Sequence, residues 1–381
     1  MKKVTLKLTA LVMLLGGTIT VSNAQNINVV TSAVPFLRIT PDTRSAGMGD
    51  VGIATSPDAN ANFANIARTP FATNKGGIAV NYSPWLRDLS VNDVFIASLA
   101  GYYKIDDQSA VSASMRYFKL GQIQFTDQLG NDLQLYNPKE FAFDLGYSRK
   151  LSNKFGLGIA IRYINSNLSS GNFNGNNYKA GSSVAGDIHL YHQGTKENGQ
   201  GLNWGLTLSN LGSKISYSSD ATQKDYIPAN IGLGAAYTKV FDEANKITFA
   251  VDVNKLLVPT PPVLTGTNDS ADLAKYRGYS VVSSWVKSFG DANGHLNEEI
   301  QEINIGVGAE YWYNNQFGFR AGYFYENKQK GNRKYITVGA SVKYSIAALN
   351  FAYVFANGSG TTRNPLSNTY RFGLVFDFGG K

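Results

Sequence analysis

The 381-residue chain is 43% hydrophobic, 12% aromatic and only 16% charged, with 39 Gly and no Cys. The aromatic content excludes a disordered polypeptide, and the lack of Cys excludes a disulfide scaffold, a thiolate metal site and a cysteine-lipidated anchor. Past the first two dozen residues no apolar run reaches the ~20 residues a spanning helix needs, so the expectation is an all-β, Gly- and aromatic-rich protein.

In chain order, the first element is a processing signal. Lys2, Lys3 and Lys7 precede an apolar stretch over 8–21, and Ser22-Asn23-Ala24 is a small-x-small cleavage site. Residues 1–24 therefore read as a secretory signal peptide. Its removal takes away three lysines and no acid, so the formal net charge falls from +8 to +5. No long Lys/Arg run remains, which points away from nucleic acid as a partner. Residues 25–75 follow without strand alternation, rich in Asn, Ala, Pro and Gly. This segment is too long and apolar for a simple tail. It is expected to fold inside a barrel mouth as an N-terminal hatch, with a loose periplasmic arm as the alternative.

From residue 76 to 378 the chain reads as strand after strand. Phe155, Leu157, Ile159, Ile161 and Tyr163 alternate with Gly156, Gly158, Ala160 and Arg162. Leu202, Trp204, Leu206 and Leu208 repeat the pattern, as do Ile231, Leu233, Ala235 and Tyr237. It returns in Ile303 to Tyr311, Phe317 to Tyr325, Ile336 to Tyr344, and Tyr370 through Phe378. Period two puts apolar side chains on one face and small or charged ones on the other. About fourteen such segments, mostly near ten residues long, match strands that cross a bilayer at a tilt.

Short connections (104–108, 151–154, 241–245, 313–315, 344–346) alternate with long ones (120–137, 167–181, 212–227 and about 256–300). Outer-membrane barrels have short periplasmic turns and long extracellular loops. Tyr102, Tyr103, Tyr147, Tyr163, Tyr311 and Tyr325 stand near strand ends, where interfacial aromatic girdles sit. A ring of this many strands is too wide for its lumen to be filled by the aromatic set. The apolar face therefore meets lipid, and the fold expected is a transmembrane antiparallel β-barrel of about fourteen strands spanning 76–381, with a plug.

That orientation turns Arg116, Asp144, Arg162, Asp187, Asp252, Glu310, Arg320, Lys343, Arg371 and Asp377 inward. Such charges could filter ions in an open porin. Buried charges need partners, however, so pairing with one another and with the plug is the expectation.

Two stretches carry a resemblance. One is Asp42-Thr43-Arg44-Ser45-Ala46-Gly47-Met48-Gly49-Asp50 with Ser56-Pro57-Asp58-Ala59-Asn60; the other is Val251-Asp252-Val253-Asn254-Lys255-Leu256-Leu257-Val258-Pro259-Thr260-Pro261-Pro262. With the layout above they resemble the PorV (LptO) family, outer-membrane components of the Bacteroidota type IX secretion system. The Gly-Met-Gly signature is shared with barrels similar to FadL fatty-acid transporters. Where such hatches often read Asn-Pro-Ala, this chain has Asn62-Phe63-Ala64-Asn65. The resemblance implies an outer-membrane shuttle with extracellular loops and periplasmic termini. It would dock at the giant translocon barrel, bind the folded C-terminal signal domain of cargo, and deliver it to an attachment complex. There a peptidase-like partner removes the signal and attaches lipopolysaccharide. Outer-membrane lipid is the remaining partner it implies.

The residues offer a surface for this. Leu256, Leu257 and Val258 beside Pro259, Pro261 and Pro262 read as an exposed, preordered apolar patch. Trp85 in another extracellular loop reads as an aromatic anchor, with packing on the barrel rim as the alternative. An FadL-like transporter of hydrophobic molecules, a passive porin and an enzyme are the competing classes. Of three histidines, His189 should point inward, His192 ends a strand and His295 sits in a long loop. None is joined by a serine on the lipid-facing side, so no catalytic set is expected. No cofactor or metal is expected either: Asp269, Asp272 and Asp291 lack EF-hand spacing.

Overall fold

The computed structural model describes residues 29–86, 91, 93–126, 129–169, 171–173, 176–218, 223–264, 266, 268–291, 295–355 and 368–380; the expected signal peptide lies outside them. In chain order the strands are β1 (Gly76–Pro84), β2 (Val94–Lys104), β3 (Ser109–Leu120), β4 (Ile123–Thr126), β5 (Asp132–Tyr136), β6 (Lys139–Lys150), β7 (Phe155–Asn167), β8 (Gly171–Phe173) and β9 (Asn176–Tyr178). They continue as β10 (Gly181–His192), β11 (Gly201–Gly212), β12 (Asn230–Val240), β13 (Asn245–Leu256), β14 (Asn304–Tyr313), β15 (Phe317–Tyr325), β16 (Lys334–Tyr344), β17 (Ala347–Phe355) and β18 (Thr369–Phe378). Fourteen of them close an antiparallel barrel, while β4–β5 and β8–β9 form separate two-stranded hairpins. The ring shuts where Gly76 of β1 meets Phe378 of β18. Closure leaves no strand edge unpaired in the wall, which a hydrocarbon surrounding requires.

Side-chain direction follows the sequence alternation. Ile159, Ile161, Leu233, Phe319 and Leu349 stand on the outer, exposed face, while Arg162, Asp252, Arg320 and Asn350 are buried inside. Tyr102 departs from the girdle expectation: its ring points inward, and its hydroxyl donates to the Asn74 carbonyl oxygen at 3.4 Å. Its neighbour Tyr103 takes the outer place. The alternation also breaks in β11. The β10–β11 register shifts between Gly186 and Ile188, and Asn210 adopts positive φ at this bulge, turning its side chain into the lumen. Asn tolerates that backbone better than most residues.

Six connections of two to eight residues occupy one end of the barrel; seven of eight to forty-seven occupy the other. The tight turns have local causes. Asp106 Oδ1 accepts from the Gln108 and Ser109 N–H groups at 2.7 Å each, and Asp242 caps the 241–244 turn in the same way. The long stretch after β13 is not irregular: it holds α2 (Asp269–Gly278), α3 (Val281–Lys287) and α4 (His295–Gln301), following the N-terminal helical turn α1 (Thr43–Ala46).

Residues 29–75 run through the lumen. Ala33 N–H donates to the Tyr226 carbonyl at the long-loop end. Phe36 and Leu37 then pack on inward Ile96, Phe118 and Ile164. Lys75 N–H finally donates to the Gly379 carbonyl at the tight-turn end, leading into β1. The last described residues lie at the tight-turn end and the first described ones at the long-loop end, because this segment threads the whole barrel before β1 begins.

Candidate functional site

The lumen is built from the middle of that segment against the inner wall. Asp42 caps α1, accepting from Arg44 and Ser45 N–H at 2.9 and 3.1 Å. The cap holds Arg44 where its guanidinium grips Glu310 of β14 through two bonds, Nε–Oε2 at 2.8 Å and Nη2–Oε1 at 2.6 Å. Arg320 of β15, directly opposite Glu310 in register, adds Nε–Oε2 at 2.6 Å. Arg44 also reaches Asp58 at 2.8 Å, and Asp58 in turn pairs with the fully buried Arg68 at 3.2 Å. Asp252 Oδ2 of β13 accepts the N–H groups of Gly52 and Ile53 at 2.7 and 2.9 Å. Arg371 donates to the Thr40 carbonyl. Arg116 donates to the Leu37 carbonyl at 3.2 Å and lies 5.0 Å from the Phe63 ring centre. On the facing wall Arg162 bridges Asp144, Asp187 and Asn210. Lys343 and Asp377 pair at 2.7 Å near the tight turns.

Glycines shape the seat. Gly49 has φ +71°, and a Cβ there would lie 2.6 Å from the Tyr323 carbonyl oxygen. Opposite it, a Cβ on Gly322 would lie 2.1 Å from the Met48 carbonyl carbon. The small residues of the inner face thus bring the Met48–Gly49 turn flush against β14 and β15. Sequence reasoning missed Arg68, Asn210 and Asn81. Asn81 accepts the Thr43 N–H at 3.1 Å and donates to Asn60 at 2.8 Å. Parity along β1 does place Asn81 inside, but uncharged residues there carry no signal of their own, and Asn210 is hidden by the bulge.

A cavity of about 160 Å³ lies above this seat, walled by Arg116, Asn210, Asp252, Asn304 and Arg333 among others. It is polar. Among the described residues no group of three or more His, Cys, Asp or Glu could hold a metal. His189 Nδ1 accepts the Ile66 N–H at 3.1 Å, and His192 stacks on Trp204. The side chain of His295 lies outside the described part of the structure.

The long-loop rim corrects the expected apolar patch. Leu256, Leu257 and Val258 are buried; Leu256 and Val258 pack with Val30 and Tyr226, against Tyr276 and Tyr279 of the long loop. Pro259 is buried too, and Pro261 and Pro262 are partly covered. Trp85 lies edge-on to Phe118 at 5.1 Å and joins the upper apolar cluster, so it packs on the rim. The reason is economy of burial: apolar residues beside the barrel mouth find cover within the chain itself. Exposure lies further along the same loop. Val282 (63%) and Val286 (71%) stand one turn apart on α3, with Phe289 and Ile300 exposed nearby.

Ion pairs fasten that loop. Lys255 Nζ contacts Glu299 at 2.9 Å and Glu302 at 2.6 Å; Lys330 Nζ contacts Glu298 at 2.6 Å and Glu302 at 3.1 Å. Asp291 accepts from Thr260 N–H at 3.1 Å, and burial raises its carboxyl above the usual range. Glu326 accepts from Arg333 at 2.8 and 2.9 Å and from Arg38 at 3.0 Å. Burial pushes the Glu326 carboxyl up, but the two guanidiniums outweigh it and hold it below its ordinary 4.5. A depressed carboxylate contributes stability above its unfolded pKa, and loses it as pH falls through the lower folded value. The 326–333 loop should therefore resist protease at about pH 5 and open in more acid buffer, and Glu326→Gln should remove that acid transition. Equal acid sensitivity in the variant would assign the transition to another group.

The closed fourteen-strand wall, lipid-facing exterior and charged interior define an outer-membrane β-barrel. A family model described as type IX secretion system protein PorV matches residues 22–263; the chain belongs to that family. The match ends at the proline-rich stretch after β13. Among solved structures, the Ralstonia pickettii toluene transporter TbuX is similar at TM-score 0.56 and 12% identity, covering 89% of this chain and 98% of that one. The CymD monoaromatic hydrocarbon channel gives TM-score 0.52 at 11% identity, covering 88% and 96%. A TodX monoaromatic hydrocarbon channel mutant gives 0.51 at 13%, covering 87% and 97%. At these identities the likeness is one of fold. No curated protein matches the chain.

Proposed function

We propose that this barrel is a shuttle of the type IX secretion system: it receives the C-terminal signal domain of cargo at the giant translocon barrel and hands it to the cell-surface attachment complex. The carrying observation is the family match joined to an apolar surface raised on α3. That surface sits on the longest loop, which is pinned to the rim by Lys255 and Lys330. A rigid base beneath exposed Val282, Val286 and Phe289 lowers the ordering cost of docking a folded partner. In this reading the long-loop end faces the exterior, the tight turns face the periplasm, and residues 29–75 plug the channel. The buried Leu256-Leu257-Val258 run supports the platform from below. The runner-up, a carrier of hydrophobic small molecules, draws on the shared fold. It is disfavoured by a lumen occupied by Arg44, Arg68 and Glu310 and a cavity lined with polar groups. A catalytic reading has no support in His189, whose Nδ1 holds backbone.

Affinity purification of tagged protein from native outer membrane tests the proposal. A very large barrel and cargo signal domains should co-purify in amounts comparable with the bait. Recovery of the bait with bound hydrophobic small molecules and neither partner would reject the shuttle in favour of the carrier.

A further inference from the structure

The outer wall carries a concavity that the shuttle reading does not use. It lies across β1, β2, β3 and β6, holds about 530 Å³, and is almost wholly apolar. Its floor is Gly101 and Ala113, which are register partners. Its walls are outward Ile78, Leu99, Tyr103, Met115, Phe143 and Leu145. Gly101 also pairs with Ile78, and Ala113 with Leu145, so two small residues sit side by side in a row flanked by large ones. The row above holds Leu99, Met115 and Phe143; the row below holds Tyr103 and Val111. The concavity is therefore a pit ringed by large side chains, with Tyr103 as its wall toward the tight-turn end. There Lys75 Nζ stands 5.4 Å from the centre of the Tyr103 ring.

We propose that this pit binds one acyl chain of an anionic phospholipid, with its phosphate at Lys75. On a hydrocarbon-facing wall the surrounding solvent is acyl chain, so the concavity fills with one. Hydrophobic burial gives no preference there, because lipid tails are as apolar as the wall; shape fit gives a modest one. The headgroup supplies selectivity, since a basic side chain at the membrane surface attracts anionic lipid. Tyr103 links the two parts, its ring walling the pit while its face holds the Lys75 ammonium. The site is independent of cargo binding.

The test uses the full mature protein in bilayers containing phosphatidylglycerol or phosphatidylcholine, each with a photoreactive diazirine on the same acyl carbon. Cross-links from phosphatidylglycerol should concentrate on the peptide spanning residues 97–115. Ala113→Trp, which fills the floor from the lipid side, should cut them about threefold, a modest loss because lipid tails are as apolar as the wall and only shape fit is removed. Lys75→Gln should remove most of the phosphatidylglycerol preference, about fivefold for one surface cation. Heat-stable barrels in both variants keep the readout separate from folding. Labelling spread evenly around the strands, labelling unchanged by Ala113→Trp, or equal labelling by the two lipids would each overturn the proposal.

Discussion

Glu310→Ala should destabilise the barrel by about 3 kcal/mol, as removal of one partner from a buried ion pair does, and should let the lumen leak. Glu310 is the single anion between two guanidiniums: Arg44 comes from the threaded segment and Arg320 from the wall. It is 2% exposed. Its removal leaves two buried cations facing each other with the joint between the threaded segment and the wall gone. Arg44 retains Asp58 and the Ser56 hydroxyl, and Arg320 retains Ser341, so the loss stays at the lower end of the range for such pairs. Glu310→Gln keeps the shape and one acceptor oxygen, and should fall between wild type and Ala. Thermal unfolding in detergent reads the stability, and current across a planar bilayer reads the seal. The wild type should be silent, while the Ala variant should flicker between closed and conducting levels. A variant that melts with the wild type and stays silent would mean that Asp252, Asn81 and Thr337 hold the segment without this joint.

Much of this geometry was legible from period and parity. Strand alternation alone puts Glu310 and Arg320 inside, because each lies an even number of residues from an inward glycine. Which of them meet depends on register, which no single strand encodes: Glu310 faces Arg320 because Tyr313 faces Phe317 across a three-residue turn. Asn210 was invisible because one extra bulge residue shifts parity, and Tyr102 was misjudged because a tyrosine at a strand end fits either face. The N-terminal segment posed a different problem. Its small and polar residues exclude strand and long helix, but its path is dictated by partners hundreds of residues away, such as Thr337 for Gly49 at 2.9 Å. The rim was the least legible part. An apolar, proline-rich run beside a loop looks the same whether it is displayed or covered. Here Val30, Tyr226, Tyr276 and Tyr279 cover it, and the exposed valines lie on a helix whose period-3.6 signal spans only seven residues.

That difference between displayed and covered residues sets up the second experiment. Val282→Asp combined with Val286→Asp should reduce co-purification of cargo and translocon by roughly thirtyfold, the effect of losing about 2 kcal/mol at the centre of an interface. Both side chains project from α3 into solvent, while Ser284 and Ser288 face inward and bond to helix carbonyls. Charging the outer stripe therefore leaves the loop's own contacts in place. Val258→Asp is the informative opposite. Val258 is 1% exposed, and a carboxylate there would be buried without a partner, at a cost of several kcal/mol unless the loop opens. It too should lose partners, but with new protease cleavage within 257–303. The α3 double variant should keep the wild-type digestion pattern. If the α3 variant is digested normally and still recovers cargo at the wild-type level, the contact lies elsewhere on the rim. The projecting β4–β5 hairpin, with exposed Leu129 and Leu135, would then be the next surface to charge. If Val258→Asp loses partners without any new cleavage, the buried run itself makes the contact, and docking must involve lifting it out from under Tyr226.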